Sequence, residues 1–215
     1  VVPRALRVAA RAAGFGTITA VDFESPAARL THGTIEMLAA LSITAARGTF
    51  ADAVLYGHSM GGLIAFEVCR QLAAVGTSLP GALILGGTAS PGTPMTVAQI
   101  GECLGIPPSP RLPHKVRARL GIERSRAYAP RPAPIDIDLH LLYGSADALV
   151  RPESVTGWKH FGCRTVRSQT VEGGHLFHQS MHGNLSQALG AVLSGMVSSS
   201  HGKASKKRGD RDARS

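Results

Sequence analysis

The residues best suited to chemistry start with Ser59, set in Gly57-His58-Ser59-Met60-Gly61. A serine hydroxyl is a weak nucleophile at neutral pH. It needs a base beside it, a group that orients the base, and amide donors for the oxyanion that forms. The GxSxG spacing suits this when a strand enters a sharp, strained turn and a helix leaves it. Here the apolar run Asp52–Tyr56 (DAVLY) enters, and a helical pattern over Leu63–Val75 follows. Gly57 and Gly61 are expected to be required, because a Cβ at either would meet backbone across the turn. A helix start beneath Ser59 favours negative charge there. The amide of Met60, the residue after the serine, is the expected oxyanion donor.

The base and the orienting acid are expected later in the chain, in the order acid then histidine, each in a loop after a strand. The run LHLLY (139–143) ends in Gly144-Ser145-Ala146-Asp147, and the next β-branched run ends in Glu172-Gly173-Gly174-His175. Asp147 and His175 therefore fall at the carboxyl edge of the sheet, the edge that bears Ser59. Asp136 and Asp138 precede their strand and belong to the opposite edge; Glu153 and Glu172 are the other rival acids. The structural alternative for Asp147 is a turn-capping aspartate. Among nine histidines, His175 stands out because the two preceding glycines let it approach another loop. His58 is expected to pack or to hydrogen-bond locally. His175, His178 and His182 would be a poor metal cluster, with no carboxylate or cysteine ligand nearby.

The elements that must position these residues alternate. A helix over Pro3–Ala13 buries Leu6, Ala9, Ala10 and Ala13 and exposes Arg4, Arg7 and Arg11. A strand is predicted over Thr17–Phe23, a helix over His32–Arg47, and strands over Asp52–Tyr56 and Ala82–Leu85. In the helix after Ser59, Glu67, Arg70 and Gln71 form the one wet stripe. A proline-rich irregular stretch, 91–134, carries short helical patterns at Val97–Leu104 and His114–Leu120. Strands follow at Leu139–Tyr143 and Thr165–Val171, and a last helix at His178–Val197. This alternation predicts an α/β domain over 1–197 with a mostly parallel sheet flanked by helices.

Composition removes other classes. At 215 residues a single core is large enough to need no disulfide or metal. The three scattered cysteines, Cys69, Cys103 and Cys163, contain no CxxC and suit a reducing, cytoplasmic setting. No apolar run reaches the ~18–20 residues of a membrane span, and Arg4, Arg7 and Arg11 interrupt any signal-peptide core. The net charge of +9 is unevenly placed. The tail 198–215 holds six basic and two acidic side chains and reads as a disordered basic extension, leaving +5 spread thinly over the rest. Without a zinc-finger or RNP motif, nucleic acid is not an expected partner.

The residues as a set resemble the type II thioesterases of polyketide and non-ribosomal peptide assembly lines. The likeness is carried by GHSMGGLIAFEVCRQL (57–72), LILGGTASPG (83–92), Tyr128, DLHLLYGSADALV (138–150), Trp158 and VEGGHLFH (171–178), and runs from about Ala20 to about Val197. It implies an α/β-hydrolase fold, with Ser59 as nucleophile, Asp147 as acid and His175 as base. It also implies hydrolysis of acyl thioesters on the phosphopantetheine arm of acyl or peptidyl carrier proteins, with no metal or diffusible cofactor. Two departures are expected. The family's first strand and glycine-rich oxyanion loop have no counterpart in Val1–Leu6, and the lid region, 91–134, is short. The alternatives are a carboxylesterase or lipase acting on free esters with the same triad, and a truncated, inactive remnant that binds carrier protein.

Overall fold

A computed structural model of the chain describes residues 4–20, 33–46, 50–51, 53–94, 96, 99, 101, 121–180 and 184–195. The expected tail 198–215, most of the two short helices predicted within 97–120, and residues 21–23 of the predicted strand lie outside these.

Four strands make one parallel sheet in the order β1-β2-β3-β4: Val54–His58, Ala82–Gly86, Ile135–Gly144 and Cys163–Val171. All three pairings are parallel, so every connection crosses a face of the sheet and both faces are covered, as the nearly all-apolar β2 requires. Alternate side chains divide between two cores. Leu83, Leu85, Leu139 and Leu141 point to one, where they meet α2 (Ile35–Ala46) and α3 (Met60–Ala74). Ala82, Ile84, Leu142 and Val171 point to the other, where Ala9 and Ala10 of α1 (Arg4–Ala12) and Leu185, Leu189 and Val192 of helix 184–195 pack. Arg4, Arg7 and Arg11 stand on the exposed side of α1.

Three expectations change. Residues 17–20, predicted as the start of a strand, are irregular and pair with no strand; the described sheet ends at β1. β-branched residues support a strand only where a neighbour accepts their backbone. Strand β3 begins four residues before Leu139, because Ile135 and Ile137 have buried partners that a local reading of the apolar run cannot supply. Asp136 and Asp138 therefore lie inside the strand, still at its starting end. Glu67 does not face water. It is buried under the hydroxyl of Tyr128, which donates to it at 2.6 Å, with Arg70 Nε at 3.0 Å and Gln71 Nε2 at 3.1 Å completing its partners. A buried carboxylate is tolerated only with this many donors.

Candidate active site

Strand β1 ends at His58, and α3 begins at Met60. The chain must reverse within one residue, and Ser59 takes φ 53°, ψ −123° to do so. It is the only described non-glycine residue with positive φ. Such backbone costs of order 1–3 kcal/mol and persists only where its surroundings hold it. The hold is visible. Ser59 N donates to Gly86 O at 2.8 Å, and Thr88 Oγ1 donates to Ser59 O at 3.2 Å. Trp158 Nε1 in turn donates to Thr88 O at 3.0 Å.

A Cβ on Gly57 would run into the carbonyl of Gly61, so only glycine fits there. Gly61 differs from expectation: a Cβ there meets nothing within 4 Å. The crowding falls one residue later, at Gly62, where a Cβ would strike the side chain of Thr88. As the first residue of the helix, Met60 has an amide with no partner inside it.

Strands β3 and β4 deliver the other two groups. Asp147 lies in the turn after β3 and His175 in the turn after β4, and a Cβ on Gly144 would collide with the carbonyl of Gly173. The two turns interlock: Ala146 N donates to Gly173 O at 2.9 Å, and Ser145 N to Val171 O at 2.8 Å. Asp147 Oδ1 accepts from the amides of Leu149 and Val150 at 2.9 and 3.1 Å. Its Oδ2 lies 2.9 Å from His175 Nδ1, and His175 Nε2 lies 3.1 Å from Ser59 Oγ.

A carboxylate can only accept, so Nδ1 carries the proton and Nε2 is left to accept from the serine hydroxyl. The side chains of His175 and Asp147 are 3% and 0% exposed, which shields their interaction from water. The structure thus brings Ser59, Asp147 and His175 together and puts the amide of Met60 beside them. The rival acids stay apart: Asp138 accepts from Arg164 and Thr165, and Glu172 from Asn184. Glu153 stands in the first turn of the short helix Pro152–Thr156.

Two further histidines stand beside His175. His58 packs edge-on against His175 at 5.2 Å and lies 3.8 Å from His178 between ring centroids. Burial, with the two neighbouring imidazoles, pushes His58 down to about 2; burial and His175 push His178 down to about 4. Both rings are therefore neutral at working pH. The sequence alone gives His178 no part beside His175; the available signal is its place three residues on, in the short helix Phe177–Ser180 that follows the turn. Among the described residues no group of three His, Cys, Asp or Glu side chains is arranged to hold a metal ion. None of the described helices is long and apolar enough to cross a membrane.

Comparison with known proteins agrees with this architecture. The family model of the thioesterase domain matches residues 9–99. No curated protein matches the chain by sequence. Solved structures do match. ClbQ from the colibactin NRPS/PKS pathway is 20% identical, with a TM-score of 0.61 over 77% of each chain. The type II thioesterase BorB from the borrelidin biosynthetic cluster is 24% identical, with a TM-score of 0.58 over 79% of this chain and 77% of its own. RedJ, a thioesterase from the prodiginine pathway of Streptomyces coelicolor, is 23% identical, with a TM-score of 0.56 over 76% and 68%. At these identities the structures speak for the fold alone, an α/β-hydrolase. The thioesterase-domain match takes in Ser59 and the turn that holds it, while Asp147 and His175 lie beyond it.

Proposed function

We propose that the chain hydrolyses acyl thioesters carried on the phosphopantetheine arm of acyl or peptidyl carrier proteins, through Ser59, His175 and Asp147. The observation that carries this reading is the unbroken line from Asp147 Oδ2 through His175 to Ser59 Oγ, ending at a strained turn over a helix start. His175 Nε2 takes the hydroxyl proton as Ser59 Oγ attacks the thioester carbonyl. The oxyanion is stabilised by the amide of Met60 and the helix N-terminus. The C–S bond breaks, the thiolate takes the proton from His175, and an ester to Ser59 remains. Water then attacks that ester. His175 accepts the water's proton and returns it to Ser59 Oγ, releasing the carboxylic acid. Asp147 fixes the tautomer of His175 and stabilises the imidazolium in each half.

A thioesterase-domain match supports the thioester, and structural neighbours that include a type II thioesterase support the assembly-line setting. A residual charge of +5 outside residues 198–215 suits an acidic carrier domain through steering. The test is kcat/KM on an acyl-carrier protein, a small neutral thioester and a p-nitrophenyl ester across a salt series. A carrier rate that is highest and falls with salt, while the small thioester changes little, is expected. A higher, salt-independent rate on the ester favours an esterase. Ser59→Ala should lose fluorophosphonate labelling together with all hydrolysis; labelling that survives removes Ser59 from the mechanism.

A further inference from the structure

Strand β1 ends on His58, whose register partner in β2 is Gly86. The imidazole of His58 occupies room that two glycines leave. A Cβ on Gly86 would stand 2.9 Å from its Nδ1, and a Cβ on Gly87 would stand 2.9 Å from its Cε1. The same Cβ on Gly87 would stand 3.3 Å from Cε1 of His175, so the two rings share one recess. Both glycines are anchored: Gly86 O accepts from Ser59 N at 2.8 Å, and Gly87 N donates to Leu142 O at 2.7 Å. The ring of His58 is backed by Phe177 at 5.3 Å and by His178 at 3.8 Å between centroids. Among the described residues nothing hydrogen-bonds to its Nε2, so its hold on His175, edge-on at 5.2 Å, is one of contact.

What that contact does depends on the stage of the reaction. In the free enzyme the imidazole of His175 is tied at both nitrogens, to Asp147 Oδ2 at 2.9 Å and to Ser59 Oγ at 3.1 Å. Once Ser59 Oγ carries an acyl group it has no proton to donate, and of the two ties only Asp147 remains. We infer that His58 is a positioning residue that holds the imidazole of His175 through the second half of the reaction, when an ester occupies Ser59 Oγ and His175 Nε2 takes a proton from water. The inference rests on the reaction proposed at Ser59. A neutral ring suits the task, since a cation at 5.2 Å would oppose the imidazolium that forms. Burial and the neighbouring imidazoles keep His58 uncharged. Without that ring the base is free to swing away from the water, and a misplacement of about 1 Å can cost about 10²-fold in rate.

The experiment follows the wild type, His58→Ala, His58→Leu and His58→Phe on a hexanoyl thioester of N-acetylcysteamine and on p-nitrophenyl hexanoate. Intact-mass spectrometry of quenched samples reads the fraction acylated on Ser59. His58→Ala is expected to lower kcat by about 10²-fold and KM with it, leaving kcat/KM within about threefold. Acyl-Ser59 should accumulate at steady state in that variant well beyond its level in the wild type. His58→Leu should behave alike, and His58→Phe, which keeps a ring, should recover most of the deacylation rate. Equal falls in acylation and deacylation, or an unchanged division between them in His58→Ala, overturn the inference. Should His58→Ala fail to fold by circular dichroism, His58→Leu against His58→Phe decides on the same readouts. A proton spectrum needs no turnover. In Ser59→Ala, which also lacks the hydroxyl tie, the Nδ1–H of His175 should give a resolved downfield signal. Adding His58→Ala should broaden it by exchange with water, and a signal equally sharp in both overturns the inference. A wild type that turns over the ester and not the thioester removes the thioesterase reading, and the division measured on the ester still decides for His58.

Discussion

The two ends of the β3–β4 pair carry the same chemistry in different surroundings. At the starting end, Arg164 bridges Asp136 at 2.8 Å and Asp138 at 2.7 Å, and Thr165 donates to Asp138 at 2.7 Å. At the finishing end, Asp147 meets His175 at 2.9 Å. Distances alone would rank the first end as the stronger. Exposure reverses the ranking: the side chains of Arg164, Asp136 and Asp138 are 35%, 77% and 14% exposed, against 3% and 0% for His175 and Asp147. An exposed pair is solvated whether or not it forms, so it does little more than clamp the register of two strands. Arg164 also holds Asp138 down at about 2, so that carboxyl stays charged and has no proton to trade. In the proposed mechanism the enclosed pair is where an imidazolium would form, and there a new charge is weakly screened. The backbone amides on Asp147 hold it in place while that happens.

The widest separation between the two ends is expected in catalysis. Asp147→Asn should lower kcat by about 10⁴, by analogy with the same change in serine proteases. Asp138→Asn should stay within about twofold, as a partly exposed group remote from the serine. Equal losses, read from steady-state rates on one thioester, would break the comparison.

Crowding separates Gly57 from Gly61 next. Gly57→Ala should destabilise by about 3 kcal/mol or more, since its Cβ meets backbone that cannot swing away. Gly61→Ala should be neutral or stabilise by up to about 1 kcal/mol in the open first turn of α3. Urea midpoints with an unchanged m-value would read both.

Stability against pH sharpens the contrast in burial. His58 and His178 are held below the 6.5 of an unfolded histidine, so the unfolded chain binds more protons as pH falls from 6.5 toward 4. Stability is present above pH 6.5 and is lost on acidification, on the order of 3 kcal/mol from His178 alone. Melting temperatures from pH 7 to 4.5 should fall for the wild type and fall less for His178→Phe. Asp138, depressed to about 2, adds its loss only below about pH 4. The smallest effect belongs to Arg164→Ala, at most about 1 kcal/mol and shrinking with added salt. A larger, salt-insensitive loss would mean that the exposed clamp is more than a clamp.

Much of this could be read along the chain. Ser59, Asp147 and His175 each follow a strand that apolar, β-branched residues announce. A parallel sheet then brings the ends of its strands to one edge. The covering of both faces follows from the same alternation, because parallel strands need crossover connections. Local patterning failed where a partner far along the chain decides the outcome. Glu67 looks like a wet position on an amphipathic helix until Tyr128, 61 residues away, donates to it. Residues 17–20 look like a strand, yet among the described residues they pair with no strand. Gly61 and Gly62 cannot be told apart until Thr88 stands against one of them.

The sequence by itself determined the alternation of elements, the turn at Ser59 and the edge on which the acid and the histidine must fall, since these depend on period and on residue type at short range. Only the tertiary structure decided that Asp147 Oδ2, His175 and Ser59 Oγ form one line at 2.9 and 3.1 Å, and that the rings of His58 and His178 stack beside that line. Each of these is a distance between segments with no local bond to set it. It is fixed by how the helical layers pack over the strands, where a fraction of an ångström separates a hydrogen bond from none.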